Sequence, residues 1–172
     1  MVLKTLILGG ARSGKSRFAL NLGERVPGRK AFIATAEALD PEMAERIRQH
    51  RNTRSTIWET IEEPLKLCDL FTRESKAYQL FLVDCLTLWL SNMMHADGNP
   101  MTVSTEIDSL AKFLRTTDRN IILVSNEVGW GIVPESSSTR KFRDLAGLMN
   151  QNIAEAADAV YLVSAGIPVK IK

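Results

Sequence analysis

The sequence predicts an α/β fold, a mostly parallel sheet flanked by helices. Two observations carry this: short apolar runs recur between helical stretches, and a complete glycine-rich loop joins the first run to the first helix. Thr5–Leu8 is apolar without polar alternation, as expected of a strand covered on both faces. Gly9 to Ser16 form the loop, and Phe18-Ala19-Leu20 open the helix behind it. Ala31–Ala34 is the second expected strand. Asp40 and Pro41 then suit an N-cap and a first helical position, so a helix is expected from there through Arg54. Leu80–Val83, Ile121–Val124 and Val160–Val163 follow as strands, and Val169–Ile171, after Gly166 and Pro168, is expected as an added edge strand. His95 to Pro100 and Val128 to Ser138 hold Gly, Pro and Ser and are expected as mobile loops near a site.

No repeat is visible, and 172 residues suit a single domain spanning 1–172 with a sizeable core, at 45% hydrophobic and 24% charged residues. A net charge of +2 is too small to imply a general nucleic-acid or membrane surface, so small molecules are the expected partners. No apolar stretch approaches the ~20 residues that span a bilayer. Cys68 and Cys85 lack C-x-x-C spacing and no secretory signal precedes them, which makes a reducing cytoplasm the expected setting.

The loop Gly9-Gly10-Ala11-Arg12-Ser13-Gly14-Lys15-Ser16 is a complete G-x-x-x-x-G-K-S. Glycines allow backbone N–H groups to close on phosphate oxygens, and the following helix adds its positive end. Lys15 would reach the β- and γ-phosphates, and the Ser16 hydroxyl would serve a Mg²⁺ ion bridging those oxygens, which points to a nucleoside triphosphate. The bland alternative is a strand-to-helix turn. With the alternating strands, the loop predicts a P-loop NTPase-like sheet in a RecA-like three-layer architecture. Ligands of such sheets bind at the carboxyl ends of the strands, where the P-loop, Ala34-Thr35-Ala36-Glu37, Asp84 and Ser125-Asn126-Glu127 all fall. Asp84 closes an apolar strand, the position from which a carboxylate completes Mg²⁺ coordination. An acidic residue there also serves solubility alone.

In the segment from Asp40 to Arg54, spacing of four places Arg46, His50 and Arg54 on one helix face. Guanidinium groups disfavour imidazole protonation, so His50 would stay neutral and nucleophilic, and the same arginines would neutralise a triphosphate under attack. The alternative is a solvated basic face with His50 packed beside Met43 and Ile47.

Together these residues resemble a known family. The P-loop, Ile33-Ala34-Thr35-Ala36, Arg46-Ile47 with His50-Arg51, Trp58-x-Thr60-x-Glu62 and the run from Asn126 to Glu135 are similar to the bifunctional adenosylcobinamide kinase/adenosylcobinamide-phosphate guanylyltransferases of cobalamin biosynthesis. Phe142 to Gly147, Asn150-Gln151 and Gly166 to Lys172 extend the resemblance over essentially the whole chain.

The resemblance implies two reactions. A nucleoside triphosphate, GTP or ATP, phosphorylates the aminopropanol hydroxyl of adenosylcobinamide. A histidine then attacks the α-phosphate of GTP, releases pyrophosphate and passes GMP to adenosylcobinamide phosphate, giving adenosylcobinamide-GDP. Carried over, that histidine is His50, and Lys15 is the P-loop cation. Nucleotide contacts would fall on Gly9 to Ser16, Ala34, Thr35, Ala36, Arg51, Asn52, Thr53, Arg54, Glu62 and Asp84, with Ser16 and Asp84 serving Mg²⁺. Glu62 would read guanine through its N1–H and amino donors. The family implies a homotrimer. Relatives commonly place proline after the residue matching Arg54, where this chain has Ser55, which loosens the helix exit without removing a catalytic group. A kinase-only P-loop enzyme would leave His50 dispensable, and a GTP-dependent interaction module would transfer nothing.

Overall fold

A computed structural model describes residues 2–38, 40–52, 54–96 and 99–172, with Arg46, His50 and Asn52 as backbone only. The elements run β1 (Lys4–Gly9), α1 (Lys15–Glu24), β2 (Lys30–Ala34), α2 (Pro41–Asn52), β3 (Trp58–Glu62), α3 (Leu67–Glu74) and β4 (Leu80–Asp84). They continue with α4 (Leu86–Ala96), α5 (Pro100–Thr116), β5 (Asn120–Asn126), α6 (Ser137–Ala156), β6 (Ala159–Ser164) and β7 (Ile167–Lys170). The strands form one sheet in the order β3-β2-β4-β5-β1-β6-β7, parallel except for β7, which runs antiparallel to β6.

The strands with unbroken apolar runs are buried on both faces, and alternate residues supply two cores. Leu6, Ile33, Phe81, Val83, Ile121 and Leu123 pack toward α3, α4, α5 and α6. Ile7, Phe32, Leu80, Leu82, Ile122 and Val124 pack on the opposite face with Ala19 of α1. This is the expected three-layer α/β architecture.

The strand at Trp58–Glu62 is not expected from the sequence, because Glu59, Thr60 and Glu62 interrupt its apolar pattern. It is an edge strand, anchored by buried Trp58, whose ring meets Phe32 edge-on at 6.5 Å. A Cβ on Gly23 of α1 would lie 2.6 Å from the same indole, so helix and strand approach there only through glycine. Asp84 therefore ends the fourth strand of the chain.

Asp40 Oδ1 accepts a hydrogen bond of 2.7 Å from the Met43 N–H, the expected cap, with Pro41 opening α2. The helix stops at Asn52 rather than at Arg54. Arg54 instead lies over the Phe32 ring, 3.9 Å from its centroid, and donates to Thr60 Oγ1 at 2.9 Å. A cation–π contact and a hydrogen bond to the edge strand outweigh two more helical residues. The edge strand β7 begins two residues earlier than expected, because Ala165 and Gly166, with φ of 50° and 82°, form a two-residue hairpin turn.

The stretch after β5 is hydrogen-bonded near both ends. Gly129 N–H donates to Glu127 Oε1 at 2.9 Å, and Arg140 Nη1 donates to the Pro134 carbonyl at 2.9 Å. Between the anchors, Trp130 and Ile132 stand 77% and 96% exposed. Asp97 and Gly98 of the other expected loop lie outside the described residues.

Both cysteines are free. Burial, with the carboxylates Glu106 and Asp69 nearby, pushes the Cys68 thiol up to about 11. The folded chain therefore holds this proton where the unfolded chain has lost it, and stability contributed by Cys68 falls as pH rises from 9.0 through about 11. Alkylation of the native protein by iodoacetamide should leave Cys68 unmodified at pH 8, and Cys68→Ala should flatten the alkaline loss of stability.

Candidate active site

The parallel register brings four strand ends into line. Glu62 of β3 pairs with Ala34 of β2, Ala34 with Asp84 of β4, and Asp84 with Val124 of β5. Gly9 of β1 pairs with Asn126 of β5, so the P-loop rises beside the β5 end and one strand separates it from Asp84.

Close packing shapes the loop. A Cβ on Gly9 would sit 2.5 Å from the Val163 carbonyl oxygen and 2.6 Å from Ser13 Oγ. Gly14, with φ of 95°, is the N-cap of α1. The Glu127 N–H donates to the Gly9 carbonyl at 3.1 Å, and the Gly166 N–H donates to the Ser13 carbonyl at 2.8 Å, so β5 and the β6–β7 turn brace the loop from two sides. A Cβ on Gly10 meets nothing within 4 Å, leaving that side open to a phosphate.

Lys15 is 7% exposed, and its ammonium donates to the Gly10 carbonyl at 2.8 Å. Burial lowers its pKa below 10.5, and the charge of Asp84 pulls it back up. Asp84 Oδ2 is buried without a hydrogen-bond partner among the described residues. An orphaned carboxylate oxygen and the half-buried Ser16 hydroxyl are hard oxygen donors of the kind Mg²⁺ takes alongside phosphates and water, so these residues fit that ion.

On the β3 side, Arg51 Nη2 donates to Glu62 Oε1 at 2.8 Å in a pair more than half exposed. Pairs this exposed contribute under ~1 kcal/mol, so a nucleotide can open it at little cost. Burial lowers the pKa of Arg54, neighbouring Arg51 lowers it further, and Asp84 and Glu62 raise it. Arg51, Arg54, Glu62, Asp84 and Lys15 thus feel one another's charge in part, although only Arg51 belongs to α2.

Two expectations change. Arg54 does not share a helix face with Arg46 and His50, since it lies past the end of α2. Thr35, expected among the nucleotide contacts, spends its polar groups inside the protein. Its hydroxyl donates to the Cys85 carbonyl and accepts from the Cys85 N–H, both at 2.8 Å, and its N–H donates to the Asp84 carbonyl at 3.4 Å. Thr35 therefore fixes the β4 end beside Asp84. Ala34 and Ala36 are half-buried at the same edge. His50 lies on the backbone of α2, where no described residue is buried, but its side chain and those of Arg46 and Asn52 lie outside the described residues, as does Thr53.

Asn92 is a positioning residue the sequence reading passes over. Its Nδ2 donates to the Thr35 carbonyl at 2.7 Å and to the Pro64 carbonyl at 3.2 Å, tying the exits of β2 and β3 to α4. The available signal was a lone amide inside the apolar helix Leu86–Ala96. Asn150 plays a similar part, donating to the Asn126 carbonyl at 3.2 Å.

This strand order and braced loop define a P-loop protein of RecA-like fold. The solved RadB recombinase is similar in fold, with a TM-score of 0.51 at 15% identity over 94% of this chain and 73% of that one. An ATPase from the type III secretion system of pathogenic bacteria gives 0.57 at 10% identity, over 97% and 56% of the two chains. Residues 5–171 match the family model described as cobinamide kinase / cobinamide phosphate guanyltransferase, and the chain belongs to that family. The bifunctional adenosylcobalamin biosynthesis protein CobP of Pseudomonas aeruginosa is 44% identical over 170 residues, covering 99% of this chain and 98% of the relative. The corresponding CobU of Escherichia coli is 41% identical over 180 residues, covering 97% and 98%.

Proposed function

We propose that this chain catalyses two successive transfers onto the side arm of adenosylcobinamide. In the first, the aminopropanol oxygen attacks the γ-phosphorus of GTP or ATP, the bond to the β,γ-bridging oxygen breaks, and the hydroxyl proton passes to solvent. In the second, a ring nitrogen of His50 attacks the α-phosphorus of GTP and expels pyrophosphate. An oxygen of adenosylcobinamide phosphate then displaces the histidine, giving adenosylcobinamide-GDP. The observation that carries the reading is the braced P-loop with buried Lys15, at the same carboxyl end of the sheet as a buried carboxylate oxygen with no hydrogen-bond partner among the described residues, in a chain of this family.

The P-loop N–H groups and Lys15 hold phosphate charge as it builds on the leaving group, and their burial strengthens that attraction. Ser16 and Asp84 would hold Mg²⁺, which supplies neutralisation of the phosphate oxygens when bound. Arg51 and Arg54 add positive charge on the α2 side, and Glu62 would read guanine. The role of His50 rests on the family motif and on the chemistry of a nucleophilic imidazole. Among the described residues no helix is long and apolar enough to cross a membrane.

Incubation with Mg²⁺ and GTP labelled at the α- or the γ-phosphate tests the second transfer. Acid-labile, base-stable α-label is expected on the native protein and should be absent from His50→Ala, which should keep phosphorylating adenosylcobinamide. Bound GTP without any α-label would overturn the histidine intermediate and leave a kinase.

A further inference from the structure

The two transfers need opposite ends of a triphosphate, yet the chain has one P-loop. Two flanks are available to the nucleoside. On one, a cleft of about 330 Å³ is lined by Arg12, Ser13, Gly14, Arg17, Ala165 and Gly166. Its outer wall, the β6–β7 turn, is fixed by the Gly166–Ser13 hydrogen bond, and Gly14 and Gly166 approach so closely that a Cβ on Gly14 would lie 3.1 Å from Gly166 Cα. Arg12 and Arg17 are exposed and have no hydrogen-bond or ion-pair partner among the described residues. Ser13, nine-tenths buried in the lining, leaves its hydroxyl without a partner among the described residues. On the other flank stand Glu62 and Arg51, four strand positions from β1, or ~19 Å at the usual strand spacing.

We propose that the Arg12–Arg17 cleft seats the purine nucleoside during phosphoryl transfer, whereas the Glu62 end seats guanine during guanylyl transfer, the triphosphate lying across the same loop in opposite directions. This rests on the two-step reading above. A base in the cleft, beside β6, sends the γ-phosphate toward the β4 end and Asp84. A base at β3 reverses the chain of phosphates, so the α-phosphate falls on the α2 side and pyrophosphate is left on the loop. Guanidinium planes stack on any purine, and among the described residues no carboxylate lines the cleft to match guanine's N1–H and amino donors. The cleft therefore accepts adenine and guanine alike, while Glu62 selects guanine.

Photo-cross-linking with azido-purine forms of ATP and GTP, followed by peptide mapping, tests the two seats beside half-reaction kinetics. Azido-ATP should label the segment around Ala165 and Gly166, and azido-GTP should label that segment and the α2–β3 segment. Arg17→Ala should weaken the first labelling and raise the KM for ATP in phosphorylation about tenfold with kcat little changed, while shifting the KM for GTP in guanylylation several times less. Glu62→Gln should show the reverse bias. Azido-ATP confined to the α2–β3 segment, or an Arg17→Ala that raises both KM values in proportion, would overturn the proposal. A native protein that never takes α-label defeats the two-step reading by itself, and the azido-ATP map still decides whether the cleft seats a nucleoside.

Discussion

Lys15→Met is expected to slow both transfers by about 10²–10³-fold without lowering the melting temperature. The rate loss follows because Lys15 is the cation buried within the loop, and loss of one preorganised group that meets developing charge costs on this order. The unchanged or raised stability follows from burial. With 7% exposure, the ammonium sits where desolvation disfavours its charge, and a methionine of similar length removes that cost. The pH dependence separates this effect from simple loss of packing. Between the lowered folded pKa and 10.5 the unfolded chain binds the proton more tightly, so stability contributed by Lys15 climbs as pH rises through that window. Thermal melts of both proteins across alkaline pH should show the climb in the native chain and its absence in Lys15→Met. A variant that melts well below the native protein at every pH would mean that Lys15 holds the loop together.

Gly9→Ala should destabilise the fold and weaken nucleotide binding together, while Gly10→Ala should weaken binding alone. The added methyl at Gly9 meets a backbone carbonyl at 2.5 Å, which no rotamer change relieves, and Ser13 Oγ at 2.6 Å. Overpacking of this kind costs ~1–3 kcal/mol, or several degrees of Tm in a chain of this length. The loop must also shift away from Val163, loosening the brace from Glu127 to the Gly9 carbonyl. At Gly10 the methyl enters open space as far as the protein is concerned, so any loss belongs to the bound phosphates. Equal Tm values for the two variants would show that the loop yields at Gly9 without strain.

Much of this arrangement is legible in the sequence. Leu6-Ile7-Leu8, Phe81-Leu82-Val83 and Ile121-Ile122-Leu123 have no polar face to turn to water, so a sheet between helices is the one place for them. The edge strand Trp58–Glu62 is hidden because exposed polar residues, Glu59 on one face and Thr60 and Glu62 on the other, interrupt it, leaving Trp58 and Ile61 as thin apolar signals. Arg54 is misplaced for a related reason: helical spacing links it to His50, whereas the aromatic ring that claims it is twenty-two residues earlier in the chain. Thr35 looks like a ligand contact in a strand-end motif, and only the pairing of β2 with β4 shows that Cys85 has claimed it. Asn92 owes its place to partners that no local pattern names.

The hydrogen bond from Gly166 to Ser13 joins residues 153 positions apart. Synthesis therefore delivers the glycine-rich octet long before the turn that braces it. Until the β6–β7 hairpin folds back onto it, the motif has its residues without this part of its shape. A product truncated before the β6–β7 turn would carry every residue of the motif without that brace, and is expected to bind nucleoside triphosphate more weakly than the chain that includes the turn.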